Sequence, residues 1–248
     1  MPKIIFKAHK ALWDDKEIRP EPARLSIPEW FKKLPTHYGN SKQEKTIKEC
    51  MPFLDTLQTG YILKNPVDQE IHWLQHNSKE NIDKDCWVQV NEELNHLHFF
   101  YNQFLNLNRG VETHPVKQLG ETCPFVSMNS NRSFYKIMNP WTIELPDGYS
   151  VLFCPILNRP DLRFFPMSGI VDNGIGIPTN FPIVITKPGV WTLKKGEPIV
   201  ACIPFKREEW QMECKIYEEK DLAKVRLSYG SKLFRWYRDK FWNKKKWK

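Results

Sequence analysis

Residues 138–153, MNPWTIELPDGYSVLF, place two runs rich in β-branched and aromatic residues on either side of a Pro146-Asp147-Gly148 turn. This pattern predicts a β-hairpin, because Asp-Gly between apolar runs is a strong turn signal. In the second run both alternating sets of residues are largely apolar, so we expect that strand to be buried on both faces. The stretch therefore predicts a structural core and contains no side chain placed for catalysis.

Three segments around this stretch share its pattern: 133–159, 181–205 and 209–219. Each contains extended runs that end in clusters of Pro, Gly, Asn or Asp. Short strands joined by such turns, without βαβ alternation or a repeat, are typical of antiparallel sheets. We predict an α+β protein, mainly β, whose sheets close as an antiparallel sandwich or small barrel within residues 46–218.

The first 45 residues are predicted to form a Pro-rich arm. Prolines recur around the apolar stretch IPEWFKKLP at 27–35, and this spacing opposes a long helix or a central strand. Three apolar side chains of that stretch are expected to hold the arm on the body: Trp30, Phe31 and Leu34.

One helix is predicted near residues 47–59. Thr46 precedes Glu49 by three residues, the spacing of a capping box, and Gly60 follows as a C-terminal stop. Pro52 lies inside this pattern and is expected to bend the helix or to delay its start.

Composition excludes several classes of protein. The chain has 248 residues, and none of its windows approaches the roughly 18 consecutive apolar residues that a membrane helix needs. Its N-terminus lacks the apolar run of a secretory signal, so we expect no secretion by that route. The six cysteines lie far apart without a Cys-x-x-Cys motif, which favours free thiols over a disulfide framework or zinc site.

The charge is concentrated at the C-terminus. Residues 230–248 contain eight Lys and Arg and one Asp, a net charge of +7, while the whole chain has +8. The remaining residues therefore carry about +1. We predict a basic, aromatic C-terminal helix or tail over residues 219–248.

Three interpretations of this tail stay open. Its aromatic residues recur at helical spacing, which is typical of a helix packed on its own protein. Alternatively, the aromatic residues bind a partner protein while the basic ones steer association. A third possibility is single-stranded nucleic acid, held by phosphate contacts and base stacking. The candidate binding residues are Arg235, Trp236, Arg238, Lys240, Trp242, Lys244, Lys245, Lys246 and Trp247.

Few residues suggest chemistry. His96 and His98 have the spacing that places two imidazoles on one face of a strand, as in metal enzymes of the cupin type. The segment around them fits a helix or a strand, and no acid follows it closely, so they are weak metal candidates. No phosphate-binding loop, dinucleotide fingerprint or nucleophile motif occurs, and we predict no cofactor.

Three segments, LPDGYSVLFCPILNR at 145–159, SGIVDNGIG at 168–176 and VWTLKKGEPIVACIPFKRE at 190–208, resemble the strand order of the dUTPase and dCTP deaminase barrel. The resemblance implies Asp172 as a water-activating aspartate and Lys195-Gly196 as the closing turn. Ile175 stands where that family has a tyrosine, and the family's phosphate-binding Arg-Ser segment has no counterpart. An altered nucleotide-processing site at Asp172 is the alternative that this resemblance suggests.

A broader resemblance links the chain to an uncharacterised family of T4-like cyanophages and marine bacteria. The motifs that carry it lie between residues 27 and 210: TIKECMPFLDTLQTGYIL, NPWTIELPDGYSVLFCPILNRPDL, SGIVDNG and GEPIVACIPFKREEW. This family resemblance implies a phage protein and no particular activity. We therefore expect a non-enzymatic binding or structural protein, located in the host cytoplasm or the virion, whose tail binds a virion component or host complex.

Overall fold

The structure is a computed structural model. It describes residues 1–39, 44–73, 86–90, 111–114, 118–120, 122–125, 134–172, 178–230, 237–239, 241–244 and 247. The chain divides into two compact units. Unit 1 comprises Met1–Glu21 and Gly60–Lys206, and unit 2 comprises Pro22–Thr59 and Arg207–Lys248.

Unit 1 contains nearly all of the β structure. Its strands are β1 (Ile5–Lys7), β2 (Glu21–Pro22, at the unit boundary), β3 (Tyr61–Lys64), β4 (Gln69–Trp73), β5 (Cys86–Val90), β6 (Val111–His114), β7 (Phe134–Ile137), β8 (Thr142–Glu144), β9 (Tyr149–Cys154), β10 (Phe164–Pro166), β11 (Gly169–Asp172), β12 (Phe181–Ile185), β13 (Gly189–Leu193) and β14 (Pro198–Lys206). A short helix, α1 (Lys10–Trp13), lies near its N-terminus.

These strands form sheets with the orders β11-β9-β14-β3-β2, β10-β12-β7-β6, β13-β4-β5 and β1-β8. The described pairings are antiparallel, including β14 with both β9 and β3 and β12 with both β10 and β7. The expectation of a mainly β protein with antiparallel sheets is therefore confirmed. One apolar core receives side chains from three of the sheets, such as Phe153 of β9, Ile183 of β12 and Ile71 of β4.

The prediction of a β-hairpin at 138–153 is wrong. Gly148 has a φ of 76° and Tyr149 N donates to Pro146 O at 3.2 Å, so the turn itself forms. However, β8 pairs with β1, whereas β9 lies between β11 and β14. The turn thus carries the chain from one sheet to another. β9 has a largely buried side-chain pattern, as its apolar composition predicted.

Buried polar groups join the turns of unit 1. The fully buried Asn65 follows β3, and its Nδ2 donates to Leu193 O and Lys194 O, both at 3.0 Å. Arg163 donates from Nη1 to Thr192 O at 2.7 Å and from Nη2 to Glu197 Oε2 at 2.5 Å. Three of these bonds go to backbone carbonyls at the C-terminal end of β13, and the fourth pairs the Arg163 guanidinium with the Glu197 carboxylate; together they stabilise the connection that follows β13.

Unit 2 contains the helices α2 (Glu29–Lys33), α3 (Met51–Gln58) and α4 (Glu219–Gly230). The helix predicted near 47–59 is present as a 3-10 turn, Ile47–Glu49, followed by α3. Pro52 lies in the first turn of α3. N–H groups in a first turn have no intrahelical acceptor, so proline is tolerated there, and the helix begins later than predicted. Thr46 Oγ1 accepts from Lys48 N at 3.3 Å and therefore caps the 3-10 turn.

The Pro-rich arm over residues 1–45 is not confirmed as one element. Residues 1–21 pack in unit 1, and the following residues pack with α3 in unit 2. There Phe31 is buried and stacks on Phe53 with 5.7 Å between ring centroids, while Trp30 is half exposed.

The strand predicted at 209–219 is also absent from the described sheets. Residues 207–218 have no regular secondary structure, and every one of them is exposed. Helix α4 begins directly after them. The alternating pattern in this segment is thus not satisfied by a neighbouring strand within the described chain.

Candidate functional site

The C-terminal tail is attached to unit 2 through Trp242. Its indole Nε1 donates a hydrogen bond to Asp55 Oδ2 at 2.8 Å. Asp55 lies on α3, and Phe53 of the same helix stacks on Phe31. A hydrogen bond to a carboxylate is stronger than one between neutral groups. This contact therefore fixes the half-buried indole on the helix.

A second attachment lies at the end of the tail. Arg24 Nε donates to the backbone oxygen of Trp247 at 2.7 Å. Arg24 belongs to the 3-10 turn Ala23–Leu25, in which Ala23 is buried. Trp247 is half buried, like Trp242. The two contacts lie five residues apart and hold both tryptophans against their own chain.

The described basic side chains of the tail are exposed. Arg238 is paired with its neighbour Asp239, with 3.4 Å between Nε and Oδ1. Lys244 Nζ lies 6.0 Å from the centroid of the Trp242 ring, the outer limit of a cation–π contact. The other predicted tail residues, Arg235, Trp236, Lys240, Lys245 and Lys246, lie outside the described residues.

The tail does not confirm the predicted amphipathic helix. The long C-terminal helix, α4, ends at Gly230, and in the described tail only residues 237–239 have helical backbone. Tyr237 and Phe241 keep 38% and 56% of their surface exposed. Among the four aromatic residues that the structure describes in the tail, Trp242 and Trp247 are half buried, whereas Tyr237 and Phe241 are exposed.

The two units differ in net charge. Unit 1 contains 18 Lys and Arg against 18 Asp and Glu, while unit 2 contains 19 against 11. The whole formal charge of +8 thus belongs to unit 2, of which the tail supplies +7. A concentrated charge of one sign raises the rate of association with an oppositely charged partner.

Asp172 has a structural hydrogen bond. It lies at the end of β11 opposite Ser150 of β9, and Ser150 Oγ donates to its Oδ1 at 2.5 Å. Ser150 is fully buried, whereas Asp172 is exposed. Residues 173–177, which follow it, lie outside the described part of the chain. The bond gives the carboxylate a structural function at this edge position.

The Lys195-Gly196 turn, which the barrel resemblance singled out, holds the N-terminal segment. Lys195 Nζ lies 2.6 Å from Asp15 Oδ2, and this hydrogen bond raises the pKa of Lys195. Lys195 N also donates to Asp68 Oδ1 at 2.6 Å. Gly196 has a φ of 79°, and a Cβ there would lie 2.7 Å from Glu17 Cγ. These contacts are those of a structural turn.

The metal candidates His96 and His98 lie outside the described residues. Within the residues that the structure describes, no three His, Cys, Asp or Glu side chains come together in a way that could hold a metal ion. None of the helices in the described part of the chain combines the length and apolar character that a membrane crossing requires.

Two features of this surface were not predicted from sequence. The contacts of Asp55 and Arg24 join positions 187 and 223 residues apart in the chain, and no local pattern signals such partners. The exposed apolar side chains of 209–217 were expected in a sheet, so their exposure was also missed.

Comparison with protein-family models and with curated proteins finds no match to this chain. The assignment of function therefore depends on the chemistry of the described residues.

Proposed function

We propose that the protein is a non-enzymatic binding or structural component of a phage assembly. In this proposal the β strands of unit 1 pack as a sandwich and serve as a neutral scaffold. The cationic unit 2 binds an acidic surface of a virion component or host complex. The single observation that carries the proposal is that all of the net charge resides in unit 2.

The attachment of the tail favours a protein partner over single-stranded nucleic acid. Binding of single strands depends on aromatic rings that are free to stack on bases. Trp242 and Trp247 are both half buried and held through Asp55 and Arg24. Lys244, beside Trp242, is exposed and available for acidic side chains, as rim charges are in protein interfaces.

A binding assay with defined probes tests this proposal. Immobilised poly-glutamate represents an acidic protein surface, and an oligothymidine of about 30 nucleotides represents single-stranded DNA. We expect binding to poly-glutamate that weakens about tenfold when Lys244, Lys245 and Lys246 are all replaced by Gln. The matched control replaces three exposed lysines of unit 1 by Gln: Lys3, Lys16 and Lys187. This control changes the net charge equally and should leave binding nearly intact.

The outcomes separate the alternatives. Nucleic-acid binding predicts preference for the oligothymidine and a log–log salt slope that becomes shallower by about two in the tail variant. Equal losses in the tail variant and in the unit 1 control would show that net charge alone drives binding. Either result, or no binding to poly-glutamate at about 50 mM salt, would contradict the proposal.

A further inference from the structure

Residues 209–217 form an exposed extended segment between β14 and α4. Trp210, Met212 and Ile216 expose 88%, 88% and 96% of their surface, and Cys214 is exposed as well. Because these four alternate with polar residues, an extended backbone places all of them on one face. Soluble proteins rarely leave such a continuous apolar stripe in water without a partner for it.

The backbone of this segment is also available for pairing. No backbone hydrogen bond joins residues 209–217 to any other described residue. The segment continues from the nine-residue strand β14, whose final residues pair with β9. An extended chain with unpaired N–H and C=O groups is a template for another strand. The segment thus has the pattern of a strand whose neighbour lies in another molecule.

We propose that residues 211–217 of the segment pair antiparallel with the same residues of a second copy of this chain, about a twofold axis at Cys214. In this register Met212 lies opposite Ile216 of the other copy, so apolar residues meet. Glu213 lies opposite Lys215, so opposite charges meet twice in the dimer. Directly opposed pairs of these kinds stabilise antiparallel strands. The sequence of the segment is therefore complementary to itself.

Neighbouring registers lack this complementarity. An axis at Glu213 or at Lys215 would place two like charges directly opposite each other, which destabilises the pair. An axis at Met212 would pair Glu209 with Lys215 but would leave Ile216 opposite Glu208 and Met212 opposite its own copy. An axis between two residues would place most apolar side chains opposite polar ones, because side chains alternate between faces. Among these registers, the axis at Cys214 alone pairs Met212 with Ile216 and Glu213 with Lys215, while Trp210 lies opposite Glu218 at the end of the ribbon.

The expected association is reversible. A two-stranded ribbon is only marginally stable in water, so the dissociation constant should lie in the micromolar range, on the order of 10 µM. Sedimentation velocity should then show a particle of twice the chain mass of 29.5 kDa as the concentration rises. A chain that stays monomeric at about 200 µM would overturn the proposal, and the segment would then fit a partner of different sequence.

Charge reversal tests whether the partner is a second copy. Glu213→Lys alone or Lys215→Glu alone places like charges opposite each other, and each should weaken association about tenfold. The double variant Glu213→Lys/Lys215→Glu restores opposite charges and should restore association. Lys187→Glu, at an exposed lysine of unit 1, is the matched control and should change nothing. Unchanged association in both single variants would contradict the proposal.

Cross-linking tests the register. Residues directly opposite each other in an antiparallel pair have Cα atoms about 4.5–5.5 Å apart, within the range of a disulfide. Mild oxidation with copper phenanthroline should therefore link two chains through Cys214, and Cys214→Ser should abolish the link. Adding Met212→Cys to Cys214→Ser moves the sulfurs about 13 Å apart along the ribbon and should not restore it. Equal cross-linking through position 212 would exclude this register.

Discussion

Gly60 shows how one residue fixes the path of the chain between a helix and a sheet. It follows α3 and precedes β3, and its φ of 74° lies in the left-handed region that disfavours residues with a Cβ. A Cβ at this position would also lie 2.6 Å from the backbone oxygen of Cys202 in β14. Two separate constraints, conformation and space, therefore require glycine here.

We predict that Gly60→Ala lowers the free energy of unfolding by about 3 kcal/mol, measured by urea denaturation. Gly148→Ala is the matched control, because Gly148 has a φ of 76° and no atom within 4 Å of the added Cβ. It should cost about 1 kcal/mol, the conformational part alone. If both variants lost the same free energy of unfolding, β14 would be able to move away from the added Cβ at position 60 without an energetic cost.

The carboxylate of Asp172 accepts a hydrogen bond from Ser150 on the neighbouring strand. We predict that Asp172→Asn lowers stability by at most about 1 kcal/mol, because Asn retains an oxygen that accepts from the Ser150 hydroxyl.

With deoxynucleoside triphosphates and Mg²⁺, pyrophosphate release should be equally low in the native chain, in Asp172→Asn and in Asp147→Asn, an exposed turn control. Release by the native chain that only Asp172→Asn abolishes would instead support nucleotide processing.

Among the elements, the tail depends on distant partners for its position. Neither the residues around Trp242 nor the short helical turn at 237–239 form a long helix that could hold it in place. Hydrogen bonds to Asp55 and from Arg24 attach it to residues that are far away in the sequence. Loss of either should therefore release the tail locally while the rest of the chain stays folded.

We predict that Trp242→Phe, which removes the indole donor to Asp55, increases trypsin cleavage within residues 237–244 about tenfold. The expected loss of local stability is about 1–2 kcal/mol, because the bond is partly buried and made to a carboxylate. Trp210→Phe is the matched control, since Trp210 is 88% exposed. A similar increase in both variants would indicate that the hydrogen bond does not hold the tail.

For the whole molecule, the division into two units separates scaffold from charge. The side chains of the main apolar core belong to Met1–Glu21 and Gly60–Lys206. The residues after Lys206 contribute none of them and contain 13 Lys and Arg against seven Asp and Glu. The core and the positive charge are therefore separable by truncation.

We predict that a chain ending at Lys206 keeps a cooperative thermal transition in near-ultraviolet circular dichroism, because its main core is complete. Its net charge falls from +8 to +2, so it should elute much earlier from a cation exchanger at neutral pH. Loss of the cooperative transition would show that residues 207–248 are required for the core to fold.

Features that depend on neighbouring residues along the chain can be recognised in the amino-acid sequence. It indicated a mainly β protein, the helix near 47–59 and the basic tail, and it located turns that the structure confirms at Gly148 and Gly196, both with positive φ. Turn geometry and side-chain alternation depend on a few adjacent residues, so these features are visible without a structure.

The pairing of distant segments, in contrast, is visible only in the folded chain. The tertiary structure paired β8 with β1 instead of β9, and left the alternating segment 209–217 without a strand beside it in the described chain. It also joined Trp242 to Asp55 and gave Asp172 a partner in Ser150. An alternating strand pattern indicates that the apolar face of the strand must be buried and that its backbone groups need hydrogen-bond partners. Which residues meet those needs depends on packing between segments far apart in sequence, which local patterns do not encode.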